Sequence, residues 1–321
     1  MRPAFVQSGD TIALICTARW LSAEQCEAAV AAFAARGLRL VVGQHAQARV
    51  HQLAGTDDER TADLMWALTD PAIRGVIVGR GGYGTVRLLD ALDMQAVERH
   101  TRWVVGFSDI TALIAHLNSH GIPAIHGAMP VQFSQVTPAS IEGLFRALMG
   151  EYQELEWTGR HFGQWPINMA HRLLGGNLSV ICSLLGSASF QPKEPYFLFI
   201  EEVDEMLYHV DRMLHALARS QAAGLLKGVL VGGMTQMKDN TKTFGFAEDN
   251  PWGTDVLGIL EQWHLRFGFP IITGLPVGHQ ADNLPLYMGE LACVTSVSQG
   301  CWRMHWPEMD SVGQKMTSSG S

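Results

Sequence analysis

No apolar run in this sequence approaches the roughly 18 residues needed to cross a bilayer. The first such run, Thr11 to Cys16, is short and follows Gly9-Asp10, unlike a secretion signal. Cysteine is scarce. Cys16, Cys26, Cys182, Cys293 and Cys301 make an odd set of five, widely spaced and without a C-x-x-C pair. Such spacing offers neither a disulfide framework nor a zinc site, and it fits a reducing compartment. Basic clusters are missing too. A net charge of −8 and an isoelectric point near 5.9 argue against a nucleic-acid-binding surface. The expectation is a soluble cytoplasmic protein that binds neither membrane nor nucleic acid.

What is present describes an ordinary globular chain. Of its 321 residues 47% are hydrophobic and 17% charged, enough apolar material for about two cores. Short apolar runs alternate with helical patterns. Thr11–Cys16, Leu38–Val42, Gly75–Val78 and Trp103–Val105 read as strands. Ser22 opens a helix that ends before Gly37, and Thr56 with Glu59 fits a capping box for a second. The alternation implies a parallel sheet covered by helices on both faces. We expect an N-terminal α/β domain over 1–150 and a polar connection over 151–170. A second α/β domain over 171–308 and a disordered tail over 309–321 complete the division. In the second domain Tyr196–Ile200 and Gly228–Val231 read as strands, Asp204–Gln221 and Thr254–Phe267 as helices, and Leu291–Met304 as β structure.

The sequence Val104-Val105-Gly106-Phe107-Ser108-Asp109-Ile110-Thr111 places a serine where a strand turns into a helix. There its hydroxyl stands clear of the sheet, beside the unpaired N–H groups of the helix start, which can stabilise an oxyanion. Ser108 and Asp109 are equally good helix caps, and these residues alone leave both roles open. Gly79-Arg80-Gly81-Gly82-Tyr83-Gly84 matches G-x-G-x-x-G between a strand and a helix. It suits a dinucleotide phosphate, with Asp109 near where a ribose-binding carboxylate would fall. It also suits a backbone that approaches Ser108 at the rim of the sheet and lends an N–H from Gly81 or Gly82, with Asp109 N–H as the second donor. His279, in Gly278-His279-Gln280, sits in a loop after a strand, where function concentrates. Glu201 and Glu202 end a very apolar strand and point to opposite faces, so one can orient a histidine while the other is solvated. Ser108, Glu201 and His279 would make a triad in the order Ser…Glu…His, although G-x-S-x-G and an HGGG-type loop are missing. His116 and His120 have the i, i+4 spacing of zinc hydrolases but no glutamate between them, and read as surface helix residues.

Taken together, several blocks resemble the LD-carboxypeptidase family of serine peptidases. They are Arg80-Gly81-Gly82-Tyr83-Gly84, Gly106-Phe107-Ser108-Asp109-Ile110-Thr111-Ala112-Leu113, His126-Gly127, Gly175-Gly176-Asn177-Leu178, Phe199-Ile200-Glu201-Glu202, Asp211-Arg212-Met213-Leu214 and Gly278-His279. The resemblance implies a Rossmann-like N-terminal domain, a smaller C-terminal α/β domain and a cleft between them. It implies Ser108 as nucleophile, His279 as base and Glu201 as its carboxylate, with no metal or cofactor and with a homodimeric assembly. The implied reaction removes terminal D-alanine from murein tetrapeptides in the cytoplasm during cell-wall recycling. On this reading Gly82 and Asp109 form the oxyanion hole, and Arg80 and Gly81 are candidates for contacting substrate. A sister group cleaves microcin C-type aminoacyl nucleotides, for which Trp157 or Trp165 would stack the base. A nucleotide-binding protein that uses the Gly79–Gly84 turn is the reading from another class. The sequence departs from the family at Cys16-Thr17-Ala18, where Pro-Ser is common, and at Glu201-Glu202, where Glu-Asp is commoner.

Overall fold

The computed structural model describes residues 2–152, 154–166 and 169–307. The tail expected to be disordered lies outside them, apart from which the chain divides between two sheets. The first part contains β1 (Thr11–Ile15), α1 (Ala23–Ala34), β2 (Arg39–Val42), α2 (Asp57–Thr69), β3 (Ile73–Val78), α3 (Met94–Arg99), β4 (Trp103–Gly106), α4 (Thr111–Ser119), β5 (Ala124–His126) and α5 (Pro138–Met149). The second contains β6 (Glu154–Thr158), β7 (His161–Phe162), β8 (Ala170–Asn177), α6 (Leu178–Leu184), β9 (Tyr196–Val203), α7 (Leu207–Ala218), β10 (Leu226–Thr235), α8 (Val256–Phe267) and β11 (Ile271–Ile272). It ends with β12 (Leu286–Met288), β13 (Leu291–Ser298) and β14 (Cys301–His305).

Local chemistry accounts for the helix boundaries. Ser22 and Thr56 each accept from the third helical N–H while Gln25 and Glu59 return the bond, which completes two capping boxes. The helix expected from Thr85 to Leu92, after the Gly-rich turn, is a 3-10 segment over Thr85–Ala91. Gly150 ends α5 in the left-handed region that favours glycine.

The first sheet runs β12-β5-β4-β3-β1-β2, parallel except for β12. Its five parallel strands follow the doubly wound order 2-1-3-4-5. The order in which strands are added therefore reverses between β1 and β3, and the loops leaving their C-terminal ends part there. The second sheet, β6-β14-β13-β8-β9-β10-β11-β7, has a parallel centre, β8 to β11, with antiparallel strands on both sides.

Residues 151–170, read as a connection, supply both outer strands of the second sheet. The burial of β6 alternates residue by residue, and Leu155 and Trp157 point inward. Polar residues on the open face of an edge strand gave it the composition of a linker. Conversely, β12 lies late in the chain yet pairs with β5, so the expected boundary between domains is crossed by a strand.

Helix α4 joins the two halves. Every residue from Thr111 to Leu117 is buried, as expected of a helix with partners on all sides. It packs on β4 and β5 of its own domain and on β8 and α6 of the other. Gly176 makes this approach possible: a Cβ there would lie 2.4 Å from Thr111 Oγ1. The Asn177 N–H donates to that hydroxyl at 3.0 Å. The Gly175-Gly176-Asn177 block is therefore where the second sheet meets the helix that follows Ser108.

Candidate active site

Three strand ends and one loop converge at this junction. Ser108 follows β4. Its φ of +60° lies in the left-handed region, strained for a residue with a side chain. The strain has a consequence for the hydroxyl. Neither Ser108 nor Asp109 caps the helix through its side chain; Ser108 Oγ instead lies 3.1 Å from His279 Nε2. The other ring nitrogen, Nδ1, is 2.6 Å from Glu201 Oε2, and the same oxygen accepts from the His279 backbone N–H at 3.3 Å. Glu201 is fully buried at the end of β9. Gly278 must be glycine for the loop to lie against it, since a Cβ there would come 2.8 Å from Glu201 Cβ. Thr235, at the end of β10, donates its hydroxyl to the His279 carbonyl at 2.8 Å and fixes the loop from the other side.

The surroundings of His279 make its imidazole easier to protonate. Burial alone makes His279 harder to protonate. Its bond to Glu201 and the negative charges of Glu201 and Glu202 outweigh that, and the pKa is raised above the ordinary histidine value. Nδ1–H donating to the carboxylate leaves Nε2 free to accept from Ser108. His126, at the end of β5, is also fully buried and close by, against Phe107 and Phe199. Burial holds its pKa down at about 4, so it stays neutral.

Glu202 is not the solvated strand end expected of it. It is buried, accepts from Asn177 Nδ2 at 2.9 Å and from the Ser179 N–H at 2.8 Å, and so holds the first turn of α6. Burial raises its pKa. His116 is likewise buried rather than on the surface, with Nδ1 3.0 Å from Ser189 Oγ, because α4 has no exposed face to offer it.

The Gly-rich turn after β3 does meet Ser108. A Cβ on Gly81 would lie 3.4 Å from Ser108 Cβ and 3.5 Å from its Oγ. Asp109 is buried and accepts from the Thr85 N–H at 3.0 Å. Its carboxylate ties the turn to the serine loop and is not open to a ribose. Arg80 is half-buried and has neither ion pair nor hydrogen bond among the described residues. Trp157 and Trp165 do not face this cleft. Trp157 donates to the Thr273 carbonyl, and Trp165 packs on Phe197 and over Gly228; both are buried in the core of the second sheet.

Sequence reasoning missed Arg60. Its side chain is wholly buried and donates to the carbonyls of Thr17 and Gly84 and to Asp57. Thr17 and Thr85 hydroxyls lie 2.7 Å apart beside it. The signal was present in the spacing: Arg60, Leu64, Ala67 and Leu68 fall on one helical stripe, which buries the arginine with the leucines.

Comparison with known proteins agrees with this architecture. Residues 12–127 match the LD-carboxypeptidase N-terminal domain, and residues 171–294 match the LD-carboxypeptidase C-terminal domain. The murein tetrapeptide carboxypeptidase of Pseudomonas aeruginosa is 29% identical over 307 residues, spanning 92% of this chain and 94% of that protein. The crystal structure of muramoyltetrapeptide carboxypeptidase from Oxalobacter formigenes superposes with a TM-score of 0.79 at 25% identity, covering 92% of this chain and 97% of the other. The microcin C7 self immunity protein MccF shares the fold, with a TM-score of 0.80 at 18% identity over 94% of this chain and 98% of its own.

Proposed function

The chain belongs to the LD-carboxypeptidase family, and on that premise we propose that it is a serine carboxypeptidase acting on the L,D-peptide bond before the terminal D-alanine of murein tetrapeptides. The observation that carries this reading is the hydrogen-bonded series Ser108 Oγ, His279 Nε2, His279 Nδ1 and Glu201 Oε2, with links of 3.1 and 2.6 Å. Both lie within the reach required of a nucleophile, its base and the group that orients the base.

In this mechanism His279 Nε2 takes the Ser108 proton as Oγ attacks the carbonyl that precedes D-alanine. Glu201 holds the Nδ1–H tautomer and stabilises the imidazolium as it forms. The N–H groups of Gly82 and Asp109 receive the oxyanion, each such donor being worth about 10²–10³ in rate. His279 then gives its proton to the leaving amine, and D-alanine departs. Water, deprotonated by the same imidazole, releases the shortened peptide from Ser108. Gly81 lines the approach to Ser108, and Arg80 is available to contact substrate. No metal enters this chemistry. We place the reaction in the cytoplasm, in cell-wall recycling, with the enzyme as a homodimer. Among the described residues no helix is long and apolar enough to cross a membrane.

An immunity-type activity on aminoacyl nucleotides is the second reading, favoured by the MccF-like fold. It is weakened by the burial of Trp157 and Trp165, which leaves neither indole to stack a base. A dinucleotide site at Gly79–Gly84 is weakened by the engagement of Asp109 with Thr85. The test is mass spectrometry after incubation with L-Ala-γ-D-Glu-meso-diaminopimelate-D-Ala. Loss of one alanine is expected. An intact tetrapeptide beside a cleaved aspartyl sulfamoyl adenosine would overturn this reading in favour of the second.

A further inference from the structure

A carboxypeptidase must distinguish a chain end from an internal bond, and the distinguishing group is the free carboxylate. In the bound substrate that carboxylate lies one residue beyond the carbonyl attacked by Ser108, about 4 Å along the chain. A cation that grips it belongs on the order of 10 Å from Ser108 Oγ, counting the new bond, that residue and the ion-pair distance.

The structure offers a candidate beside the Gly-rich turn that approaches Ser108. Arg19 follows β1, in the loop that parts from the Gly-rich turn after β3. This is the point where the strand order of the doubly wound sheet reverses and where such sheets bind ligands. Its side chain crosses Gly82: a Cβ on Gly82 would lie 2.7 Å from both Arg19 Cδ and Nε. Gly82 has a φ of +121°, a conformation suited to glycine, and it adjoins Gly81, which touches Ser108. Arg19 is also held in place. Its Nε donates to Gln52 Oε1 at 3.2 Å, and its backbone bridges to Leu53. That acceptor is neutral, and no ion pair with Arg19 occurs among the described residues. Arg19 is exposed, and its two terminal guanidinium nitrogens meet no acceptor among the described residues.

We propose that Arg19 is the residue that binds the terminal carboxylate of the substrate and so confines the enzyme to chain ends. This rests on the carboxypeptidase reading above. The planar fork of arginine takes a carboxylate through two parallel bonds. Fixing its stem on Gly82 and Gln52 before substrate arrives reduces the cost of ordering it. The absence of a bulkier residue at position 82 is thereby explained twice over, by the turn and by the seat it gives Arg19.

The experiment compares two probes: the meso-diaminopimelate tetrapeptide ending in D-alanine, and the same peptide ending in D-alaninamide. The wild type should cleave the acid with kcat/KM at least about 10-fold above the amide, the worth of a charge-assisted pair. In Arg19→Gln the ratio of acid to amide should fall toward one, mainly through KM for the acid, and Arg19→Lys should restore part of it. An unchanged melting temperature confirms that the exposed substitution leaves the fold intact. A preference that survives in Arg19→Gln overturns the proposal, and if Arg80→Gln then abolishes it, Arg80 is the anchor. A wild type that cleaves both peptides equally also overturns it. A wild type that cleaves neither peptide refutes the carboxypeptidase reading itself, a result distinct from the other three.

Discussion

Arg60→Met should leave a folded enzyme that has lost most of its turnover. Methionine matches the arginine stem in length but donates no hydrogen bonds. It leaves the buried Thr17 carbonyl without its donor, whereas Gly84 O keeps the Arg87 N–H at 3.2 Å. Each unpaired buried carbonyl costs about 1–3 kcal/mol. The broken pair with Asp57 adds little, because Asp57 is 37% exposed and keeps Arg87 at 2.7 Å. The expected destabilisation is therefore about 1–3 kcal/mol, measurable by denaturant titration. The effect on turnover has a separate cause. Arg60 pulls on Gly84 O and Asp109 on Thr85 N, and between them they set the Gly81–Thr85 turn against Ser108. A turn that relaxes withdraws the Gly82 N–H from the position assigned to it. We expect kcat to fall by about 10²–10³ with KM little changed. Arg60→Lys, which keeps one charged donor, should recover part of both losses. A stably folded Arg60→Met with wild-type kcat would refute the idea that this brace positions the oxyanion donors.

Three further substitutions probe other parts of the account. Glu201→Gln removes the charge that raises the His279 pKa. The acid limb of kcat/KM should therefore move to lower pH as kcat falls by up to about 10⁴, the scale of such changes in serine triads. In the wild type the raised His279 pKa adds stability that is complete below the unfolded histidine value near 6.5 and is lost as pH rises through the folded value. That pH-dependent increment should be missing from Glu201→Gln in unfolding titrations. Gly81→Ala places a methyl 3.3 Å from Met129 Cε and 3.5 Å from Ser108 Oγ, so peptide hydrolysis should drop at least about 10-fold while the melting temperature holds. Gly176→Ala, with φ at +140° and Thr111 Oγ1 2.4 Å from the new Cβ, should destabilise the junction between the two sheets by about 1–3 kcal/mol in denaturant titrations.

The parallel sheets and most helices were legible in the sequence because their signals are local. A β-branched run marks Val104-Val105, and a capping box marks Thr56 and Glu59. The three residues that meet at Ser108 were nameable because serine after a strand, histidine in a Gly-flanked loop and a carboxylate at a strand end are each unusual in place. Other features depend on partners distant in sequence. Residues 151–170 have the composition of a linker because β6 is an edge strand that shows every second side chain to solvent. The pairing of β12 with β5 joins residues far apart in the chain and leaves no local mark. Glu202 reads as a solvated end until the first turn of α6 is seen to need an acceptor. His116 reads as a surface residue until a helix buried on every side places it inside, and Arg60 passes unnoticed because charge draws the eye away from a helix phase that buries it.

The central claim is that Ser108, activated by His279 and Glu201, breaks the bond to D-alanine. The most direct measurement is the rate of alanine release from the meso-diaminopimelate tetrapeptide by the wild type and by Ser108→Ala, purified identically and followed by mass spectrometry. We predict steady loss of one alanine with the wild type and a rate at least about 10³-fold lower with the variant. Equal rates from the two proteins would contradict it.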